Sequence, residues 1–296
     1  LGSRTLGEWQ AECERLSGGG AAPVRPLGEI SADNARTESE INTATREIDP
    51  VTIEVGMSEC RDIIRWLSDS MDKSHSRRSG AIVHADFNME QRFMHQFRDA
   101  LIMEASFPAL DAASKDSAYL KVKFLPEWVE TRRQRGPRIG QVPTSPIQKA
   151  WNVSAFRLNI DGIDLSGGVN KIDAFTIKQG VKTLHIGGEL YPELVATKLE
   201  IPELTVTVSV EHAESLLKWH ERFVRVGAQD KAEEKSGSIE FLSPNRGQTL
   251  FEIGLENVGI KGISLIRSDA GGDAIKRVKV DLYVGNMTFG TLGSMA

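Results

Sequence analysis

The sequence predicts a mainly β protein with minor α content, built as two tandem β-barrel or sandwich domains that each carry one packed amphipathic helix. Segments in which apolar and polar residues alternate recur along the chain, which is typical of strands with one buried face. A set of such strands around one amphipathic helix occurs twice in the same order. Helices are too few to alternate with the strands, so the pattern does not favour a parallel α/β sheet.

The repeat is defined by residues that match at a nearly constant spacing of 153 to 158 positions. Both copies run from a strand to a helix with a tryptophan, then to a strand led by glycine, a strand led by phenylalanine and a basic strand. The matched pairs are Val51 with Leu204, Trp66 with Trp219, Gly80 with Gly237, Phe97 with Phe251 and Leu120 with Val278. We interpret the small changes in spacing as loop insertions and deletions within an old internal duplication.

Composition limits the kind of protein that this can be. A length of 296 residues, of which 40% are hydrophobic, predicts about two domains with sizeable cores. A formal net charge of −5 argues against a dedicated nucleic-acid binder, which needs cations to neutralise phosphates. Two cysteines cannot form a disulfide framework, so we expect folding in a reducing cytoplasm. We expect neither membrane insertion nor a secretory signal, because the required apolar runs are absent from the sequence.

The first domain is predicted over residues 51–130. Residues 1–50 show little periodicity and are interpreted as the irregular, degenerate start of this domain. A helix predicted at 58–71 carries Ile63 and Trp66 as core anchors on its buried face. The predicted strands of this domain lie at 51–55, 81–87, 92–102 and 119–124.

The second domain is predicted over residues 148–296. A linker at 131–147 precedes it, because that segment is rich in proline, glycine and arginine and has no hydrophobic period. A helix predicted at 211–224 buries Leu216, Leu217, Trp219 and Phe223, of which Leu216 and Trp219 are the core anchors. The predicted strands lie at 156–160, 169–178, 198–208, 237–242, 249–258 and 274–289.

The order of several segments in the second domain matches a known family. These segments are the strand and turn Phe156-Arg-Leu-Asn-Ile-Asp-Gly, the helix end Leu216-Leu-Lys-Trp-His and the strand start Lys235-Ser-Gly-Ser-Ile. In this order they resemble the tube proteins of contractile phage tails and of phage-derived injection systems. The resemblance covers residues 151–290 and extends to 51–130. Within residues 1–50 only Leu16-Ser-Gly-Gly echoes the family's opening hairpin, at Leu165-Ser-Gly-Gly in the second domain.

This resemblance implies a structural role without catalysis. Tube proteins form six-fold rings whose sheets join into a continuous inner barrel, so the chain is expected to form a ring or tube segment around a central lumen. Three copies of a chain with two tube-like domains would give a pseudo-six-fold ring, and six copies could instead give two stacked layers or a ring of twelve domains. A baseplate hub or tube initiator is an alternative role. A soluble β-barrel binding module is the alternative from another class.

The resemblance also implies partners and a place of assembly. The expected partners are further copies of the chain, in a trimer or hexamer, and neighbouring tube, sheath or baseplate proteins. DNA or a protein effector is the expected cargo of the lumen. Assembly is expected in the cytoplasm, as part of a phage virion or an injection-system particle.

No set of residues in the sequence indicates catalysis, a cofactor or a metal. His84 and Asp86 share a strand face and His95 faces them across a predicted hairpin, but a metal site needs three or four converging ligands. We expect ordinary surface or core histidines here. The glycine-rich segments lack the Lys-Ser/Thr of a phosphate loop, and Cys60 is expected to be an inert thiol. The protein is therefore predicted not to be an enzyme.

Six basic residues near the predicted linker and the first helix are candidate inter-subunit or inter-ring contacts, where they would meet acidic surfaces of neighbouring molecules. Ordinary solvated loops are the alternative that the sequence leaves open. The six residues are Lys73, Arg77, Arg78, Arg132, Arg133 and Arg135.

Overall fold

The protein is mainly β, as the sequence predicts. Strand accounts for 63% and helix for 12% of the structure, and one sheet curls into a half-barrel. The predicted fold class is therefore confirmed. The structure is a computed structural model that describes residues 48–56, 61–71, 76–133, 136, 152–165, 167–186, 191–225, 233–243, 245–266 and 276–290.

The first half of the described chain is organised around one long strand, β3, of 17 residues. Strand β6 continues through Arg133, so the first three residues of the predicted linker 131–147 belong to the sheet. The elements of this half are β1 (Val51–Gly56), α1 (Arg61–Asp69), β2 (Arg78–Ala85), β3 (Gln91–Phe107), β4 (Leu110–Asp111), β5 (Tyr119–Leu125) and β6 (Trp128–Arg133).

The second half is organised around a similar strand, β13, of 18 residues. The helix predicted at 211–224 consists of a 3-10 turn (Val210–His212), the α-helix α2 (Glu214–His220) and a π-helical turn (Glu221–Arg225). The other elements are β7 (Phe156–Ile160), β8 (Val169–Ile172), β9 (Phe175–Leu184), β10 (Glu193–Glu200), β11 (Leu204–Ser209), α2 (Glu214–His220), β12 (Lys235–Leu242), β13 (Thr249–Ile266) and β14 (Arg277–Gly290).

Two sheets share strands from both halves of the chain. The first sheet has the order β1-β5-β3-β9-β10, and β2 and β6 also pair with β3. The second sheet has the order β4-β8-β11-β14-β13-β12-β7. The hairpin β9–β10 of the second half thus extends the first sheet, and β4 of the first half extends the second. The halves are joined by main-chain hydrogen bonds as well as by side-chain packing.

The two halves have the same strand register. Val51 lies opposite Phe124 in the pairing of β1 with β5, and Leu204 lies opposite Leu282 in the pairing of β11 with β14. The register of β3 on β5 shifts at Met103, and that of β13 on β14 shifts at Lys261, which is 158 positions later. A bulge therefore interrupts both ladders at the same point.

Backbone conformation matches at the same spacing. The four described non-glycine residues with positive φ form two pairs. Asp99 (φ 50°) matches Asn257 (φ 53°), and Met89 (φ 61°) matches Arg246 (φ 55°). Positive φ is uncommon outside glycine, so its recurrence at spacings of 158 and 157 is independent of the hydrophobic pattern. The halves share a backbone path through the hairpins β2–β3 and β12–β13, including the turns.

The pairing of Phe97 with Phe251, predicted from the sequence, is wrong. Gly80 lies opposite Phe97, whereas Gly237 lies opposite Leu255. Phe97 therefore matches Leu255, and Phe251 matches Phe93. The misalignment still matches apolar residues on the same face of the strand, because the error is four residues and side chains alternate with a period of two.

Candidate functional site

The contact between the two halves is the candidate functional site, because it is where one set of strands accepts another. Residues Glu104 to Phe107 of β3 pair with Lys178 to Phe175 of β9 in antiparallel register. On the opposite edge of β3, residues 101–106 pair with β5. The hairpin β9–β10 therefore occupies an edge of β3 that would otherwise expose unpaired main-chain groups.

Phe107, at the end of β3, is the apolar centre of this contact. Its ring stacks on that of Phe175, with a centroid distance of 4.9 Å and an interplanar angle of 17°. The rings of Phe241, Phe251 and Phe289 lie 6.2 to 6.4 Å from it. Clusters of aromatic rings at these separations contribute beyond the area that they bury. Phe107 thus inserts a side chain of the first half into the core of the second.

Helix α1 makes the second apolar part of the contact. It packs against β14 of the second half, and the Ser68 hydroxyl donates a 3.4 Å hydrogen bond to the carbonyl of Phe289. Ile64 and Met71 are buried together with Trp66 and Leu67. Helix α2, in contrast, packs against β13 of its own half. The helix of the first half therefore has one more buried face than its counterpart.

Polar groups fix the start of β10 on the first half. The Arg77 guanidinium donates a 2.6 Å hydrogen bond to the carbonyl of Leu194 and lies 3.3 Å from the carboxylate of Glu127. The same carboxylate accepts a 2.9 Å hydrogen bond from the Leu194 main-chain N–H. Both main-chain groups of a buried residue are thus satisfied by an ion pair of the other half.

The predicted basic contact residues in the described part of the chain each have a separate partner. Of those in the described part of the chain, Arg77 bridges the two halves. Arg78 pairs with Asp69 at 2.7 Å, and Arg132 pairs with Glu130 at 2.9 Å. The Arg133 guanidinium lies 5.6 Å from the ring of Phe93. Lys73 and Arg135 lie outside the described residues.

The four predicted core anchors, Trp66, Trp219, Ile63 and Leu216, are buried. The predicted burial of Leu217 is wrong, because the buried face of the helix follows Leu216, Trp219 and Phe223 and leaves Leu217 47% exposed. The Trp66 indole N–H donates a 2.7 Å hydrogen bond to the carbonyl of Ser76. The Trp219 indole N–H has no hydrogen-bond partner in the described part of the chain. The two tryptophans match in position but differ in how the indole is held.

His84 and His95 form a pair on the sheet of the first half. Their ring centroids are 5.0 Å apart in an edge-on arrangement, and His95 Nδ1 lies 2.8 Å from the Thr131 hydroxyl. Burial, reinforced by the positive charge of protonated His84, lowers the pKa of His95. Among the described residues no group of three or more histidine, cysteine or acidic side chains is placed to hold a metal.

Asp86, which shares a strand face with the histidines in the sequence pattern, is engaged elsewhere. Its carboxylate accepts hydrogen bonds of 2.9 Å from the main-chain N–H groups of Asn88 and Glu90 and one of 2.8 Å from Arg92 Nε. The hydrogen bond with the Glu90 main chain, followed by that with Arg92, lowers the pKa of Asp86. Asp86 therefore stabilises the β2–β3 turn.

The residues that join the halves were not identified from the sequence. Phe107 lies beyond the predicted end of the strand at 102, although the apolar pattern continues to it. Glu127 and Leu194 carry no local signal, because their roles arise only from pairing across the halves.

No helix in the described part of the chain is long and apolar enough to span a bilayer.

No family model and no curated protein matches the chain. Solved structures give low similarity, at a level that does not assign the chain to a family. A protein of the anti-feeding prophage baseplate is 15% identical, with a TM-score of 0.35 over 47% of this chain and 94% of that one. A protein of the sheath–tube complex of the extracellular contractile injection system PVC is 13% identical, with a TM-score of 0.35 over 46% and 89%. Hcp1 from Flavobacterium johnsoniae is 11% identical, with a TM-score of 0.27 over 45% and 94%.

Proposed function

We propose that this chain is a structural, non-enzymatic component of a contractile phage tail or phage-derived injection system, and that it assembles into a ring around a lumen. Its two tube-like domains, 51–130 and 148–296, would have arisen by duplication. The resemblance of the sequence to tube proteins supports this role. The observation that carries it is that β3 accepts the hairpin β9–β10 on its edge, while the matching edge of β13 pairs with no described strand.

The open edge of β13 is located by the common register of the halves. Residues 104–107 of β3 match residues 262–265 of β13, at the spacing of 158 set by the shared bulge. Residues 262–265 pair with β14 on one side. On the other side, the pairing of β13 with β12 reaches only Val258. An unpaired edge of this kind is a template for a strand from another molecule. A second copy of the chain is the natural source.

A second open edge lies on β2. Its counterpart β12 has β13 on one side and β7 on the other, whereas β2 pairs only with β3 in the described part of the chain. Closed rings remove such edges, which otherwise lead to aggregation. Both open edges thus favour a protein that is completed by assembly.

Three copies of the chain would supply six tube-like domains to one ring. We favour this trimer because it closes with exact three-fold symmetry and alternates the two kinds of domain. The halves differ at the position that binds the hairpin β9–β10, since Arg77 of the first half matches Glu234 of the second. This difference favours a hub or tube initiator at the baseplate over the repeated tube. Tube, sheath or baseplate proteins would be its neighbours, and DNA or an effector protein would be the cargo.

Imaging the purified chain by negative-stain electron microscopy tests this function. Rings with about six domain-sized densities around a central opening are expected, following from two domains per chain and three copies. A preparation that shows single compact particles at every concentration, alone and with the tube protein of the same particle, would overturn it. Substituting Arg132 by glutamate asks separately whether this residue contacts a neighbouring ring, because it should reduce stacking while leaving single rings intact.

A further inference from the structure

One face of the second half exposes apolar residues whose counterparts in the first half are buried. These residues lie on α2, on the π-helical turn after it and at the end of β13. Single exposed apolar residues are ordinary, but here three of them occupy positions that are buried in the first half, and we treat the three as one patch. The pairs, with the exposed fraction of each residue, are Ile64 (3%) and Leu217 (47%), Met71 (6%) and Val224 (37%), and Phe107 (2%) and Leu265 (73%).

The first-half members of these pairs lie on or next to elements that contact the second half of the same chain. Helix α1 packs on β14, and Phe107 stacks on Phe175 beside Phe241, Phe251 and Phe289. Among the described residues, the exposed patch of the second half therefore lacks the kind of cover that its counterpart has. A surface that resembles the Phe241–Phe251–Phe289 face would supply it.

The first half carries the residues that match this face. Phe93 matches Phe251 and is 40% exposed, whereas Phe251 is 2% exposed. The positions of Phe241 and Phe289 are taken by His84 and Thr131, which are both exposed. His95 takes the position of the buried Ile253. The first half thus has the same sheet surface with a more polar composition. In the described part of the chain it faces no other element, and the Arg133 guanidinium lies at the edge of this surface, 5.6 Å from the Phe93 ring.

We propose that the exposed patch of the second half, formed by Leu217, Val224 and Leu265, docks on the Phe93–His84–His95 face of a second copy of this chain. The proposal of this contact rests on the proposed ring function and specifies which surfaces of neighbouring chains meet in the ring. It repeats between chains the arrangement that α1 and Phe107 make within one chain. Each molecule has both surfaces, so the contact is head-to-tail and continues until a ring closes.

The composition of the two surfaces predicts a contact that is weaker than the one within the chain. Leu265 is smaller than Phe107, and histidine and threonine replace two phenylalanines on the receiving face. Less apolar area is therefore removed from water than within the chain. The contact within the chain would form during folding, and the contact between chains would form later and reversibly.

Two variants that each block one surface test the proposal. Leu265→Asp blocks the donor patch and leaves the receiving face intact, whereas Phe93→Asp blocks the receiving face and leaves the donor patch intact. Each variant alone is expected to stay monomeric in sedimentation velocity. An equimolar mixture is expected to form dimers of one chain of each kind and to stop there, because a single intact contact remains. Leu184→Asp, at another exposed apolar residue, is the matched control and should assemble like the wild type.

The outcomes separate this contact from the function on which it rests. If the wild type is monomeric, the proposed ring function fails with it. If the wild type assembles and Leu265→Asp or Phe93→Asp alone assembles equally well, the ring function stands and this contact is wrong. A mixture that stays monomeric also overturns it. Because Phe93→Asp could unfold the sheet, His84→Glu at an exposed position serves as a second receiving-face variant, with thermal melting to verify the fold.

Discussion

Removing the ring of Phe107 tests whether the two halves are joined as the structure describes. The substitution Phe107→Ala takes away the side chain that β3 inserts into the second half, where only 2% of the residue is exposed. Leu265→Ala changes the matching position of β13, which is 73% exposed. The two variants remove apolar groups from the same register position in different environments.

The cost of the first substitution follows from buried area. A buried phenylalanine removes about 150 Å² from water, and at about 25 cal/mol per Å² this corresponds to about 4 kcal/mol. Measured substitutions of this kind cost about 3–5 kcal/mol, including the cavity that remains. Leu265→Ala should cost less than about 1 kcal/mol in the single chain, because most of the side chain is already in water.

Urea unfolding followed by tryptophan fluorescence measures both costs, at a dilution where the wild type is monomeric. We expect the free energy of unfolding to fall by about 3 kcal/mol more for Phe107→Ala than for Leu265→Ala. Equal losses, or a loss below about 1 kcal/mol for Phe107→Ala, would show that the ring is not packed between the halves.

Two further predictions concern buried hydrogen-bonding groups. Trp66→Phe removes the N–H that is bonded to Ser76, whereas the N–H that Trp219→Phe removes has no described partner. In thermal melting, the free energy of unfolding should therefore fall by about 1 kcal/mol more for Trp66→Phe than for Trp219→Phe. Equal losses would contradict this. Burial and the hydrogen bond to Glu234 raise the pKa of Tyr283 to about 12. The neutral phenol is therefore favoured in the folded state, and its contribution to stability is present below the ordinary value of about 10 and is lost as the pH rises towards 12. An ultraviolet titration should show a late-ionising tyrosine that Tyr283→Phe abolishes, and an unchanged curve would refute it.

Elements that are specified by local pattern were predictable. The strands around Val51 and Leu204 alternate strictly, and each helix shows one apolar face around its tryptophan. The turn between β2 and β3 was also located, because polar residues interrupt the alternation there. These features depend on residues that are close together in the sequence, so one amino-acid sequence is sufficient to predict them.

Features that depend on pairing between distant segments were not predictable. The extension of β3 to Phe107 is stabilised by β9, about 70 residues later, and neither strand signals its partner. The alignment of Phe97 with Phe251 was wrong because a shift of four residues keeps every side chain on its face. Arg77 and Arg78 are adjacent and similar in sequence, and only the position of Glu127 decides which of them bridges the halves.

The mass of the assembled particle decides whether this chain forms a closed ring. Native mass spectrometry of the wild-type chain, from dilute to concentrated solution, would give the number of copies in the closed ring. We expect a discrete species of three chains, each of 32.6 kDa, that replaces the monomer as concentration rises. A chain that remains at 32.6 kDa throughout, with the proposed contact surfaces unprotected from hydrogen exchange, would contradict it.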